Sequence, residues 1–272
     1  MRPHALSKAG RGALRALATQ SILYGFDFDG TLAPLSADRE GVALSRSMQE
    51  WLTELNKRVP CAIVSGRALS DLAPRVGAAV PHMIGNHGLE SPLTVPSALS
   101  RAEELCHVWM QAVNAEFAQM LNDHGVQVEN KGYTLTFHYR GVKDPAHVRL
   151  ALTVLLNRFI PAPRLTFGHA CVNALPPSHP GKGAAAIALM KRLRLTGLFY
   201  IGDDGADEEV FERSDRLAMG IHVGKQTDSR APFYVDHQGQ VEDVIRFLVH
   251  RLDRTPEASD PDELAGTTKK LA

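Results

Sequence analysis

The chain has 272 residues, 44% apolar and 22% charged, a balance that suits a soluble globular protein with ample length for a full core. Thirty Lys and Arg offset 30 Asp and Glu, so neither nucleic acid nor an anionic membrane is expected as the main partner, and any anion-binding charge must be local. Cys61, Cys106 and Cys171 are scattered and odd in number, which argues against a disulfide framework or a short-spaced zinc site and predicts free thiols in a reducing, cytoplasmic setting.

Residues 1–20 carry Arg2, Lys8, Arg11 and Arg15 and no acid. Arg15 and Gln20 break what would be the apolar part of a signal peptide, so a basic lead-in helix is expected. No later run approaches the ~18 apolar residues of a membrane span. Four short apolar runs, residues 22–28, 60–64, 82–85 and 198–202, end in polar residues. The first reaches Asp27, Gly30 and Thr31, and the second Ser65, Gly66 and Arg67. The third reaches Asn86, His87 and Gly88, and the fourth Asp203, Asp204 and Gly205. Amphipathic helical patterns such as 47–58 and 183–193 lie between them. Strands alternating with helices predict βαβ units in a parallel sheet. Ligands of such sheets sit beyond the carboxyl ends of the strands, so the four run ends are expected to converge.

The middle of the chain has another pattern. Residues 97–123 read as one long helix. Residues 125–130 and 133–140 read as strands joined at Lys131-Gly132. Residues 145–159 read as a helix, and 164–171 and 172–175 as a second strand pair. This α+β pattern is expected to form an insertion over 91–177 in a discontinuous α/β core of 21–90 and 178–252. The polar tail, 253–272, is expected to be disordered.

Asp27-Phe28-Asp29-Gly30-Thr31-Leu32 is the strongest chemical signal. Carboxylates at i and i+2 of an extended segment point the same way. At ~4 Å they repel by about 4 kcal/mol at an effective dielectric near 20, so the pair needs a proton or a cation. With Asp203 and Asp207 added, all-oxygen ligation favours Mg²⁺. Ser65-Gly66-Arg67, between a strand and a helix, suits either an anion site or an ordinary helix cap. Lys182, in Gly181-Lys182-Gly183, either neutralises a phosphate or stays solvated. Gly183 in place of Ser or Thr excludes a Walker A loop. Residues 203–208 hold four acids in six positions, a cation loop or a solvated cap, with spacing that excludes an EF-hand. His87 reads either as a core histidine or as a site residue.

In this order the four motifs resemble those of the haloacid dehalogenase-like phosphatases, over most of residues 22–250. The resemblance implies a Rossmann-like parallel-sheet core with an inserted α+β cap of the C2 type, which opens and closes. It implies that Asp27 attacks phosphorus to form an aspartyl-phosphate, and that Asp29 protonates the leaving oxygen and then activates water. Ser65 and Lys182 would hold phosphoryl oxygens. Mg²⁺ would be bound by Asp27, the Asp29 carbonyl and Asp203, with Asp207 in support.

Within that class the chain is similar to the trehalose-6-phosphate phosphatases. The likeness is carried by residues 26–34, Ser65-Gly66-Arg67, Gly85-Asn86-His87-Gly88-Leu89-Glu90, Val128-Glu129-Asn130-Lys131-Gly132, His138-Tyr139-Arg140 and Gly202-Asp203-Asp204 with Asp207-Glu208. It implies a sugar phosphate as partner, hydrolysed to trehalose and phosphate. Substrate contacts would come from Gly66, Arg67, Asn86, His87 and Gly88 in the core and from Glu129, Lys131, His138 and Arg140 in the cap. The chain departs from the family at Asn173 and Leu175, where an acid and an arginine are usual, and at Ala206, where Thr is usual. The loss of the acid keeps sucrose, glucosylglycerol and mannosylglycerate phosphates as alternative substrates. A catalytically silent regulatory domain is the rival from another class; intact Asp27, Asp29, Lys182 and Asp203 argue against it.

Overall fold

Helix α1 (Lys8–Leu17) leads into β1 (Ile22–Phe26), followed by α2 (Arg46–Asn56), β2 (Cys61–Val64), α3 (Leu69–Val76) and β3 (His82–Ile84). Next come α4 (Pro96–Ala112), a widened turn at Val113–Phe117, α5 (Ala118–Asp123), β4 (Gln127–Asn130), β5 (Leu135–His138), α6 (Pro145–Leu156), β6 (Arg164–Gly168) and β7 (Cys171–Leu175). The chain finishes with α7 (Gly181–Arg192), β8 (Gly197–Gly202), α8 (Glu208–Phe211), β9 (Leu217–Val223), β10 (Phe233–Val235) and α9 (Gly239–Leu252). This is a computed structural model that describes residues 2–36, 38–213, 215–226 and 228–253. The tail from residue 254, expected above to be disordered, lies outside the described residues.

Six strands form one parallel sheet in the order β10-β9-β8-β1-β2-β3. β1, β2 and β8 are buried at every position, as strands covered on both faces must be. That is why they read as continuous apolar runs. Two clusters of buried side chains lie against this sheet, one including Phe26, Ile63 and Phe199 and the other Leu23, Val64 and Tyr200. The second sheet is antiparallel, β4-β5-β7-β6, with its own core of Trp109, Phe117, Phe137, Leu152 and Phe159 among others. The fold is therefore the expected α/β core with a second, antiparallel α+β layer.

Several local readings differ from the structure. The long helix over 97–123 is broken by the widened turn, which keeps both Val113 and Phe117 buried. The hairpin after β6 turns at His169-Ala170, not after Cys171, because Ala170 adopts a left-handed φ of 56°. Strands β9 and β10 carried no signal in the sequence. β10 has three residues, and Gly220 and His222 interrupt the pattern of β9. The lead-in helix α1 is docked: Leu14 and Leu17 join the core, and Ala5 N–H donates to the Tyr234 carbonyl at 2.8 Å on the sheet edge. No helix among the described residues is long and apolar enough to cross a membrane.

Candidate active site

Parallel pairing carries β1, β2, β3 and β8 to a common edge, and their following residues meet there. Asp27 extends the ladder by donating its N–H to the Ile201 carbonyl at 2.9 Å. The chain then turns at Gly30, φ 82°. A Cβ there would lie 2.1 Å from Asp203 Oδ2, so only glycine lets the β1 loop approach the β8 loop this closely. Thr31 Oγ1 fixes Asp203 by donating to Oδ1 at 2.9 Å.

Lys182 lies at the centre, 2% exposed, and donates to Asp27 Oδ1 and Asp207 Oδ1 at 2.8 Å each. Burial alone would lower its pKa, but Asp207 and Asp27 raise it, so it stays charged. Burial pushes the Asp27 carboxyl well above its ordinary value; Lys182 opposes this, while Asp207, Asp203 and Asp204 reinforce it. Burial likewise pushes Asp204 up, to about 7, against the pull of Lys182. Asp207 ends below the usual range, because Lys182 outweighs its burial. Its Oδ1 also accepts from Tyr200 OH at 2.8 Å, and its Oδ2 from the N–H groups of Asp203 and Asp204. Asp207 is thus held by four protein donors and braces both the lysine and the loop.

Carboxylate oxygens of Asp27, Asp203 and Asp207 lie within 4.8 Å of one another. One buried lysine faces four acids, and the donors are all oxygen. That combination fits a hard divalent cation, which would relieve the repulsion that raises Asp27.

Asp29 is gripped by Arg67, whose Nε donates to Oδ2 and Nη2 to Oδ1, both at 2.7 Å. Arg67 Nη1 donates to Asp71 Oδ2 at 2.7 Å. Ser65 is buried, with its Oγ accepting from Arg67 N–H at 3.1 Å. A Cβ on Gly66 would lie 2.5 Å from the His87 ring. His87 has φ 55°, and neither of its ring nitrogens meets a partner at hydrogen-bond geometry. Burial, then Lys131 and Lys182, holds it neutral, with Asn173 approaching it. A buried polar ring left in this state is suited to a ligand.

The antiparallel sheet forms the opposite wall of a cleft of about 480 Å³, within the range of roughly 300–1,000 Å³ usual for ligand sites. Lys131 reaches across and donates to the Gly66 carbonyl at 2.9 Å. Glu129 Oε2 lies 2.9 Å from His138 Nε2. Arg39, from the loop after β1, bridges both. Arg140 is exposed and donates to the Ser36 carbonyl at 3.1 Å. Asn173 lines the cleft, with Oδ1 accepting from Thr136 Oγ1 at 2.7 Å.

The sequence model of the trehalose-phosphatase family matches residues 25–239, a span that runs from the end of β1 through both sheets. The chain belongs to the trehalose-phosphatase family. It is 29% identical over 260 residues to a rice protein (Oryza sativa subsp. japonica) named probable trehalose-phosphate phosphatase 4, covering 91% of this chain and 71% of that one. It is also 29% identical over 244 residues to the trehalose-phosphate phosphatase of Mycobacterium tuberculosis, covering 85% of this chain and 62% of that one. It therefore spans less than two thirds of the mycobacterial relative. The C-terminal domain of the C. albicans trehalose-6-phosphate phosphatase superposes with a TM-score of 0.70 at 18% identity, covering 92% of this chain and 98% of that one. At that identity the likeness concerns the fold.

Not every residue expected at the site of this trehalose-phosphatase family member faces its cleft. Asn86 is fully buried. Its Nδ2 donates to Glu90 Oε2 at 2.7 Å and to the Lys131 carbonyl at 3.2 Å, and its Oδ1 accepts from Thr134. It ties the two sheets together rather than pointing into the cleft. Gly88 packs against α7, where a Cβ would lie 2.6 Å from the Gly181 carbonyl. Arg67 does line the cleft, with its guanidinium held by Asp29 and Asp71. Leu175 is a buried core residue, and Ala206 is buried in the acidic loop. The sequence reading missed Arg39, Tyr200, His169, whose Nε2 lies 3.0 Å from Asp203 Oδ2, and His179. No motif flagged them. A lone histidine two residues before Gly181-Lys182 was the only local hint of His179.

His179 carries a pH prediction. Its Nε2 donates to the Asn86 carbonyl at 2.8 Å, and its Nδ1 accepts from Gly181 N–H at 3.0 Å. The neutral ring satisfies both partners. Burial pushes its pKa from 6.5 to about 4, against the Asn86 bond and with Arg164 adding to the fall. Between those values the unfolded chain binds the extra proton, so the contribution is present above pH 6.5 and is lost as pH falls towards 4. Urea unfolding at pH 7 and pH 4.5 is expected to show wild type losing about 2–3 kcal/mol more than His179→Gln over that interval. Equal losses would contradict the assignment.

Proposed function

We propose that this chain hydrolyses trehalose 6-phosphate to trehalose and phosphate through an aspartyl-phosphate on Asp27. The observation that carries the reading is the facing of two chemistries across one cleft. A buried Asp27–Lys182–Asp203 cluster lies on one side, and Lys131, His138 and Arg140 line the other, with Glu129 held against His138. Residues 21–90 and 178–252 act as the core and 91–177 as its cap.

An Asp27 carboxylate oxygen attacks phosphorus as the bond to the sugar oxygen breaks. Asp29 gives that oxygen its proton. Water then attacks the acyl phosphate while Asp29 takes its proton, which releases phosphate and restores Asp27. Lys182, with Ser65 on the other side, neutralises and orients the phosphoryl oxygens, the main demand of this reaction class. Mg²⁺, held by Asp27, the Asp29 carbonyl and Asp203 with Asp207 bracing, supplies further charge neutralisation when bound. The arriving phosphate competes with Asp29 for Arg67, which turns Asp29 towards the leaving oxygen. Gly66 and His87 line the floor beneath the sugar. A cytoplasmic setting fits the free thiols of Cys61, Cys106 and Cys171.

A panel of sugar phosphates read by phosphate release tests the substrate. Trehalose 6-phosphate is expected to exceed sucrose, glucosylglycerol and mannosylglycerate phosphates in kcat/KM by at least about tenfold, or ~1.4 kcal/mol. The neutral Asn173 in the cleft favours keeping those three in the panel, and one of them ranking first would overturn the assignment. Activity is expected to vanish with a chelator and to return with Mg²⁺ in preference to Ca²⁺, which takes longer and looser oxygen shells. A phosphate-binding domain without turnover on any compound would support the regulatory alternative.

A further inference from the structure

We propose that Arg39 is a positioning residue that, with Glu129, sets His138 at the cleft for recognition of the sugar half of the substrate. The inference rests on the sugar-phosphate reading above and adds a residue to it.

Arg39 belongs to the loop between β1 and α2, on the core side of the cleft. Its Nη2 donates to Glu129 Oε2, and its Nη1 meets His138 Nε2. The same Glu129 oxygen lies 2.9 Å from His138 Nε2 and 3.9 Å from Lys131 Nζ. With a proton on Nε2, His138 donates to Glu129; without it, His138 accepts from Arg39. All the Glu129 contacts gather on Oε2, beside His138, which lines the cleft. Burial would raise the Glu129 pKa, but His138, Lys131 and Arg39 together hold the carboxyl well below its usual range. Glu129 is thus a fixed, ionised partner that orients His138.

The other end of Arg39 is anchored in the core. Its carbonyl accepts from Arg67 Nη2 at 3.3 Å, and Arg67 grips Asp29. Two arginines in series therefore connect the acid–base candidate to the cap. The core contact uses the Arg39 backbone and the cap contact its side chain, so truncation removes the second and keeps the first. The cap also has other ties to the core, Lys131 to the Gly66 carbonyl and Asn86 to the Lys131 carbonyl, and stays docked without Arg39. The Arg39 side chain is 42% exposed. An ion pair that open adds little to stability, which leaves placement of its partners as its contribution.

The test compares Arg39→Ala, Arg39→Lys, Glu129→Gln and the double variant Arg39→Ala/Glu129→Gln. Two substrates are used: the best sugar phosphate of the panel and p-nitrophenyl phosphate, which has no sugar. Arg39→Ala is expected to lose about 10- to 100-fold in kcat/KM on the sugar phosphate, mainly through KM, because two charge-assisted contacts are lost. Turnover of the aryl phosphate should stay within about twofold and the Tm should not move, because the core is untouched. Arg39→Lys keeps the charge but cannot span both partners, so an intermediate loss is expected. The double variant should be no worse than the worse single variant. Equal losses on both substrates, no loss on the sugar phosphate, full activity of Arg39→Lys, or additive effects would each overturn the proposal. Those outcomes leave the substrate reading intact, since wild-type turnover on the panel decides it separately. A wild type inactive on every sugar phosphate removes both.

Discussion

Asp27→Asn is expected to lower turnover by at least about 10⁴-fold, or ~5 kcal/mol of barrier, while the protein stays folded. The amide is too weak a nucleophile to displace the sugar oxygen, so the covalent step is lost and not merely slowed. The fold survives because Asn is an isostere of the buried Asp27 side chain, and its amide oxygen can accept from Lys182 as Asp27 Oδ1 does. Lys182 keeps its second partner, Asp207 Oδ1, at 2.8 Å. Phosphate release measures the first effect and thermal unfolding the second. Acid-quenched wild type incubated with labelled substrate should carry a covalent phosphate that the variant lacks. Substantial turnover by a folded variant, or equal labelling of both proteins, would refute Asp27 as nucleophile.

The second large effect is on Lys182. Lys182→Met is expected to cost about 3–5 kcal/mol of stability, because removing one partner of a buried ion pair leaves the others uncompensated. Asp207 is fully buried and Asp27 is 4% exposed, so water solvates the two carboxylates poorly. For a chain of this size that loss corresponds to a fall in Tm of roughly 6–20 °C. Neutralising the stranded charge should recover part of it, so Lys182→Met/Asp207→Asn is expected to be more stable than Lys182→Met. Activity should fall by about 10³-fold in both, because the cation facing the phosphoryl group is gone. A Lys182→Met protein as stable as wild type would mean that the buried charges are balanced in another way.

The core was legible because its signals are local. A strand buried on both faces must be apolar throughout, and β1, β2 and β8 are. The turn at Gly30 and the acids after β8 are consecutive in the chain, so spacing alone placed them. The limits of that reading show at particular residues. Asn86 and Gly88 sit in a polar string after β3, as site residues do. Their side of the left-handed turn packs against the second sheet and α7 instead. Strands β9 and β10, at one side of the sheet, lack the unbroken apolar run of the centre. Arg67 was read as an anion contact, but in the fold its nearest anions are Asp29 and Asp71.

The sequence by itself determined that carboxylates of the β1 and β8 loops share one end of a parallel sheet. Each follows the strand that carries it, so topology brings them together, whereas Lys182 joined them only through the family resemblance. Only the tertiary structure decided what faces them. Arg39 meets Glu129 across 90 positions of sequence and His138 across 99, and His169 reaches Asp203 from the turn of a separate sheet. Such contacts depend on how one sheet docks over another and on the direction each side chain takes. Neither periodicity nor spacing along the chain encodes those directions.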